Sequence, residues 1–457
     1  MGHILKAALS VAFLAIGFGI FKISSLFQIP EVPHLEETWW GEGVPSVNDD
    51  AVYSFKINVS DEVLQDLKYR LKNTRALAPA LEGVQHEYGT NSKFTKSIID
   101  FWLNKYDWKQ REKYMNQYPQ YKTKIQGLNI HFLHVKPERE AGKKVIPILM
   151  MHGWPGSVRE FYEIIGLLTR QQEKRDFVFE VIAPSLPGFG FSDPALRPGL
   201  GKSQVAVVMK NLMKRLNHHK FYVHGEDFGS IIANDMAILF PENVIAMHST
   251  MCASLQPISA LKRVLYSLKP SLIVDEKHEH VAYPLSNLVM GIMEEFGAFH
   301  MHCTKPDTVG AALSDSPAGL AAYILEKFIT WTNPNWRTLE DGGLAQKFKM
   351  EDLLDNIMIY WISDSIGTSL RIYAETYNKG LLTLGLEDIP VPVPAGCARF
   401  IHDYEWNPTA LIEDKYPKLI HVTDYDGGHF AALENAEILA EDIFEFVSKV
   451  QKMNVLQ

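Results

Sequence analysis

The segment Phe221-Tyr222-Val223-His224-Gly225-Glu226-Asp227-Phe228-Gly229-Ser230 has the residue types and spacing of a nucleophile. An apolar run enters G-x-D-x-G and leaves into the helical Ile231-Ile232-Ala233-Asn234, the order of a sharp strand-to-helix elbow that displays its central side chain. The flanking glycines are needed where backbone segments approach closely and hold the central residue in a strained conformation. That residue is Asp227, and a carboxylate attacks carbon directly, with no base to deprotonate it first. A glycine-rich turn with an acidic helix cap would read the same over five residues; the strand, the helix and the companion motifs decide for the nucleophile.

Asp426-Gly427-Gly428-His429-Phe430 follows the last apolar strand, and His429 is the candidate base that activates water. An elbow of this kind takes its residues in the chain order nucleophile, acid, histidine. The acid therefore lies beyond the strand expected at Ala398–Ile401, where Asp403 and Glu405 both qualify and residue counting does not separate them. His152-Gly153-Trp154-Pro155-Gly156-Ser157 follows an early buried strand. An oxyanion hole in this layout takes one N–H from the residue after the nucleophile and one from that early loop, which are Phe228 and Trp154. The Pro/Gly loop Pro184–Asp193 is expected to shape the pocket wall and has no assigned chemistry.

The elements that must hold these residues can be read from periodicity. Leu128, Ile130 and Phe132 alternate, and Val145–Met151 is a continuous apolar run suited to a buried parallel strand. A helix over Arg159–Arg170, a strand at Phe177–Ala183, a helix over Gln204–Leu216 and the strand Phe221–His224 follow in turn. Strands alternating with helices mean a parallel sheet covered on both faces. Gln256–Asn378 lacks the alternation and reads as helices. After the proline-rich approach at 390–394 come strands at Ala398–Ile401 and Leu419–Val422, and a final helix over Asn435–Val450. The fold expected is an α/β-hydrolase fold with a mainly parallel sheet, an inserted helical lid, an N-terminal helical extension and a membrane anchor. The divisions are an anchor at 1–27, a helical extension and connector at 28–120, core at 121–255, lid at 256–380 and core again at 381–457.

The extension rests on Ser60 as a cap before Val63, Leu67 and Leu71 on one face, and on a second apolar-periodic stretch from Phe94 to Trp108. The anchor rests on Ala7–Phe21, which has no charge and is bounded by Lys6 and Lys22. A span of about 20 residues is reached if both lysines snorkel, and Ile23-Ser24-Ser25-Leu26 is a poor cleavage site. Trp39-Trp40, in the connector, would sit at the membrane surface or cover the folded body. The formal charge of −9 with no basic block leaves nothing to attract a polyanion, so nucleic acid is not expected as a partner. Cys252, Cys303 and Cys397 are too few and too scattered for a disulfide framework or a zinc site, and a reducing compartment is expected for the body.

The chain resembles the microsomal epoxide hydrolases, and most of all the juvenile hormone epoxide hydrolases of insects. The likeness rests on the anchor followed by Trp39-Trp40-Gly41, on His152–Ser157, on the elbow around Asp227, on Thr304–Gly310, on Ser316–Tyr323 and on Gly427–Phe430. It implies that Asp227 attacks an epoxide carbon to form an ester while lid tyrosines donate to the opening oxygen, and that His429 then activates water to cleave the ester. It also places the orienting acid at Asp403, because Lys415-Tyr416-Pro417 lies at the family's usual distance; glutamate is usual at that position. No metal or organic cofactor is required. The partners implied are a lipophilic epoxide, water and the membrane, with a single pass in the endoplasmic reticulum. Trp154, Phe228, Ala298 and Phe299 are the expected substrate contacts.

The family usually has two lid tyrosines. Tyr373 in Arg371-Ile372-Tyr373 matches one, and alignment through Thr304-Lys305-Pro306 puts Ala298 at the other. Tyr373 acting alone, or a contribution from His300 or His302, would then complete the acid half. Three other readings remain: a weakly active or inactive membrane-bound binder of apolar ligands, a hydrolase of foreign epoxides, and, less close in sequence, a haloalkane dehalogenase.

Overall fold

The computed structural model describes residues 28–44, 50–138, 143–377 and 384–455. The expected anchor at 1–27 lies outside them. Among the described residues, nine strands form one sheet in the order β1-β2-β3-β5-β4-β6-β7-β8-β9. They are β1 (Val52–Phe55), β2 (Gln120–Ile125), β3 (Leu128–Val135), β4 (Lys144–Met151), β5 (Phe177–Pro184), β6 (Phe221–Gly225), β7 (Val244–Ser249), β8 (Ala395–Phe400) and β9 (Leu419–Tyr425). The three pairings from β1 to β5 are antiparallel, and every pairing from β5 through β4 to β9 is parallel.

Before β2 stand α1 (Asp61–Lys72), α2 (Ser92–Asn104) and α3 (Trp108–Met115). Ser60 caps α1 as expected, its hydroxyl accepting from the Val63 N–H; Leu67 and Leu71 are buried, whereas Val63 is exposed. The single stretch read through Trp108 breaks into two helices because Asp107 caps a new one. One expectation is corrected here. The extension is not wholly helical: β1 adds to the antiparallel edge of the sheet through four residue pairs with β2. Trp40 is buried, and its backbone N–H donates to the Gln126 carbonyl, so this tryptophan covers the folded body.

Between the strands run α4 (Tyr162–Thr169), α5 (Lys202–Arg215) and α6 (Phe228–Leu239). The chain steps from β4 to β5 in one direction and returns past β4 to β6 in the other. With right-handed crossovers this reversal puts α4 on one face and α5 and α6 on the opposite face. A reversal also opens a crevice beyond the carboxyl ends of the flanking strands, which is where α/β sheets bind ligands. The ends concerned are those of β4 and β6, which carry His152–Ser157 and Asp227.

Between β7 and β8 the described residues form helices without a strand: α7 (Pro257–Tyr266), α8 (Glu276–Ala282), α9 (Leu285–Glu295), α10 (Gly297–Thr304), α11 (Pro306–Asp315), α12 (Pro317–Thr332), α13 (Met350–Ile362) and α14 (Ile366–Thr376). After β8 come the short α15 (Thr409–Ile412) and α16 (Ala431–Glu434), then α17 (Ala436–Val455), which packs beside α4.

A buried ionic cluster fastens the inserted helices to the core. Arg159, fully buried, donates from Nε to Asp355 Oδ2 at 3.0 Å and from Nη2 to Asp352 Oδ1 at 2.6 Å; Arg111 on α3 donates from Nε to Asp355 Oδ1 at 2.9 Å. Tyr106 donates to the same Asp355 oxygen at 2.8 Å. The extension, the loop after β4 and α13 therefore share one set of charges.

The cysteine expectation is overturned. Cys252 and Cys397 form a disulfide although 145 residues separate them. Sequence spacing is blind to this pairing, because β7 and β8 become neighbours only when the sheet assembles around the insert, with Ser249 opposite Cys397. The ground for expecting a reducing compartment goes with it. Cys303 carries a free thiol.

Candidate active site

Asp227 stands between β6 and α6 with φ +49° and ψ −121°, a conformation that L-residues rarely adopt and that the surrounding backbone must impose. Two glycines make the approach possible. A Cβ on Gly229 would lie 1.9 Å from the Met151 carbonyl oxygen, and one on Gly153 would lie 2.1 Å from Asp227 Oδ1. The elbow is thus pressed against the end of β4. The register that pairs Met151 with Gly225 brings the Trp154 amide to the nucleophile, and it donates to Oδ1 at 2.8 Å. The Phe228 amide also donates to the carboxylate. Both expected oxyanion-hole donors therefore converge on one Asp227 carboxylate.

The other oxygen, Oδ2, is faced by His429, whose Nε2 lies 3.4 Å away. His429 Nδ1 lies 3.0 Å from Asp403 Oδ1. Geometry thus separates the two acids that counting left level. Glu405 is turned away and accepts from the Asn407 amide at 2.8 Å. The histidine loop is fixed from behind: Glu434 accepts from the Gly428 and Phe430 amides at 2.8 and 3.0 Å, and the His429 backbone N–H donates to the Trp331 carbonyl. Lys415 of the Lys-Tyr-Pro motif donates to the carbonyls of Leu386, Glu387 and Ile389, bracing the chain that leads into β8.

The buried charges set one another's ionisation. Burial pushes the Asp227 carboxyl up, but hydrogen bonding and charge from His429, together with the Trp154 and Phe228 amides, outweigh it and hold the group below its ordinary value. Burial pushes His429 down, yet Asp403 and Asp227 together raise it well above an ordinary histidine. The charges of Asp403 and Asp227 therefore favour the imidazolium form of His429 at rest.

A cavity of about 250 Å³ opens over Oδ2, with Trp154, Phe228, Met251, Phe299, Trp331 and Tyr377 among its mainly apolar walls. Tyr373 projects into it from α14, edge-on to Trp154 at 5.8 Å and to Phe228 at 4.7 Å between ring centroids. Ala298 and Phe299 line it from α10. His302 is buried there, its Nε2 2.7 Å from the Tyr323 hydroxyl and its ring 4.8 Å from that of Tyr373, whereas His300 is exposed. Burial lowers His302 to about 3, so it is neutral at physiological pH.

The loop Pro184–Asp193 is not among the lining residues, which corrects the expectation that it forms the pocket wall. It backs the loop after β4 instead: the Leu186 N–H donates to His152 Nε2, and Phe189 packs edge-on against His152. Periodicity and motif reading also missed Tyr404. Its hydroxyl donates to Asp227 Oδ2 at 3.1 Å, and its ring lies 5.0 Å from that of His429. The available signal was its position beside Asp403 in a turn, where neighbouring side chains diverge.

Among the described residues, His134, Glu180 and His218 form the group whose ligand atoms could hold a metal. His134 Nε2 already lies 2.6 Å from Glu180 Oε1, with Lys136 Nζ 3.7 Å from the same oxygen, and none of these residues lines the cavity.

Comparison with known proteins agrees with this geometry. Residues 52–161 match the family described as epoxide hydrolase N terminus, and 146–270 match the alpha/beta hydrolase fold. The chain is 45% identical over 453 residues to juvenile hormone epoxide hydrolase 1 of Ctenocephalides felis, covering 99% of this chain and 97% of that protein. It is 43% identical over 446 residues to epoxide hydrolase 1 of Oryctolagus cuniculus, covering 96% and 98%. The crystal structure of juvenile hormone epoxide hydrolase from Bombyx mori superposes with a TM-score of 0.89 at 45% identity, covering 92% of this chain and 99% of that one.

Proposed function

The chain belongs to the epoxide hydrolase family, and from that premise we propose that it converts lipophilic epoxides, of the juvenile hormone or related terpenoid kind, to diols through an ester on Asp227. The observation that carries this reading is the division of labour at one carboxylate. Oδ1 sits on the Trp154 amide, while Oδ2 faces His429 and an apolar cavity.

In the first step Oδ2 attacks an epoxide carbon, the carbon–oxygen bond breaks, and Tyr373 gives its proton to the leaving oxygen. Burial and the Asp227 charge keep the Tyr373 phenol protonated until that oxygen becomes basic. In the second step His429 takes a proton from water and the hydroxide adds to the ester carbonyl. The Trp154 and Phe228 amides receive the oxyanion on Oδ1. Collapse expels the diol and restores the carboxylate.

The two steps make opposite demands on His429, and esterification reconciles them. Once Asp227 is an ester, one of the two charges holding the imidazolium disappears. The ring then yields its proton to the phenolate left by the first step and becomes the base that the second step needs.

The test is a single turnover in heavy-oxygen water. Label should enter the Asp227 carboxylate and not the first diol; label in the diol alone overturns the ester mechanism, and failure to consume any epoxide favours the ligand-binding reading. Comparing terpenoid with foreign epoxides sets the substrate class.

We further propose that residues 1–27 anchor the protein to the endoplasmic reticulum membrane in a single pass, with 256–380 acting as a lid over the site. No helix among the described residues is long and apolar enough to cross a membrane, so the anchor rests on Ala7–Phe21. Leu261, Val264 and Leu265 on α7 and Val289, Ile292 and Met293 on α9 are exposed near Leu255 and Phe296 of the cavity rim. An apolar rim of this kind suits substrate drawn from lipid. The full chain should resist carbonate extraction from membranes and a chain lacking residues 1–27 should be released; release of the full chain would refute the anchor.

A further inference from the structure

We propose that Asn58 is an N-glycosylation site and that the folded body therefore lies on the lumenal side of the membrane. The inference rests on the anchor reading of residues 1–27 and gives that anchor a direction; the epoxide-opening role of Asp227 does not depend on it.

Asn58-Val59-Ser60 has the acceptor pattern for an oligosaccharide, with no proline in the middle position. The fold presents it outward. Asn58 stands in the loop between β1 and α1, and the residues on either side of it are buried and tied to α3 and its cap. The Ile57 N–H donates to Asn116 Oδ1 at 2.9 Å, the Asn116 amide donates back to the Ile57 carbonyl at 2.8 Å, and the Val59 N–H donates to Glu112 Oε2 at 2.7 Å. An extended segment pinned through both neighbours turns the residue between them away, and Asn58 is exposed. It does not line the cavity, so a glycan there leaves the site open. The other Asn-x-Thr of the chain, Asn407-Pro408-Thr409, has proline in the middle, and Asn407 is buried.

A second observation, from a different part of the chain, leads to the same compartment. Cys252 and Cys397 are joined. Forming that bond takes two electrons and two protons from the thiols, which the thiol–disulfide oxidants of the lumen accept and the reducing cytosol does not. Cys303, the thiol left over, is half-buried and pushed up to about 11 by burial, so it carries little of the thiolate that would exchange with the disulfide. The flanks of the anchor raise no objection. Lys6 and Lys22 stand one on each side, and 23–55 contains no Lys or Arg that would hold the body in the cytoplasm.

The modification is a balanced substitution. Asn58 Nδ2 bonds to the anomeric carbon of an oligosaccharide carried on a lipid diphosphate, and that carbon's bond to the diphosphate oxygen breaks. The amide nitrogen gives up one proton, and the lipid diphosphate leaves. Donor and transferase act on the lumenal face, which a lumenal body passes as it is translocated. Epoxides dissolved in the bilayer reach either leaflet, so the apolar rim meets substrate in this orientation too.

The test is the full chain expressed in a eukaryotic cell and recovered in sealed microsomes. Glycosidase digestion should lower its apparent mass by a single step. Asn58→Gln should run at the digested position, be unmoved by the enzyme and keep wild-type epoxide turnover. Ser60→Thr retains both the acceptor pattern and the cap on α1 and should keep the glycan. Added protease should spare the body until detergent is present. Equal mobility of the wild type and Asn58→Gln before and after digestion, or a body digested in intact vesicles, overturns the proposal. Failure of the anchor looks different. A glycosylated chain released by carbonate would remove the anchor and leave the body lumenal, whereas an unglycosylated chain that resists carbonate keeps the anchor and reverses its direction.

Discussion

His429 Nε2 lies 3.4 Å from Asp227 Oδ2, so base and nucleophile hold each other in complementary ionisation states. Substituting Asp227→Asn removes one of the two charges that raise His429, and the imidazole pKa should fall relative to the wild type. An NMR titration of the ring measures it. The same variant should lose ring opening by on the order of 10⁴-fold, the scale seen when one member of a catalytic unit is removed.

Asp403 is buried and touches His429, whereas Glu405 is half-buried and pairs with Asn407. Asp403→Asn should slow ester hydrolysis roughly 10²–10⁴-fold and let the ester accumulate, because the imidazole loses both its orientation and the charge that stabilises its protonated form. Glu405→Gln should change that step less than about threefold. Mass spectrometry of quenched reactions separates the two outcomes.

Asp227 is held below its ordinary value of 3.8. A carboxyl with a depressed pKa stays ionised as pH falls through the usual carboxylate range, so the alkylation rate should be flat from pH 7 to about 4. A single-turnover rate that declines between pH 6 and 5 would contradict this charge balance around Asp227.

Glu434 moves in the other direction: burial raises it to about 8, even though two amides donate to it. Its unfolded value is near 4.5, so the folded state binds the extra proton between those limits. The stability this group contributes is complete below about 4.5 and is lost as pH rises toward 8. The melting temperature of Glu434→Gln should therefore decline less between pH 5 and 8 than that of the wild type. An identical slope in the two proteins would rule out this group.

The Arg159–Asp355 pair ties α13 to the loop after β4 with both partners fully buried. Asp355→Ala leaves two guanidinium groups short of a partner and should destabilise the fold by about 3–5 kcal/mol. Denaturant unfolding gives the magnitude.

The residues that sequence alone determined are those governed by local rules. Asp227, His429 and the loop holding Trp154 were legible because elbow, turn and strand-end chemistry leave glycines at fixed offsets beside an apolar run. The parallel strands from Val145 and Phe177 showed through for the same reason, since burial on both faces writes an unbroken apolar stretch. Short or half-exposed strands carry no such mark, and β1, with three exposed residues of four, was read into a helical extension. The relations that only tertiary structure decided join residues distant in sequence or divergent within one turn. Asp403 and Glu405 stand two positions apart, yet the turn directs one to His429 and the other to Asn407. Cys252 and Cys397 meet because the sheet closes around an insert. Tyr404 reaches Asp227 across 177 residues of chain, a contact set by how the loop after β8 packs beneath Phe296 and Trp331, which no spacing rule encodes.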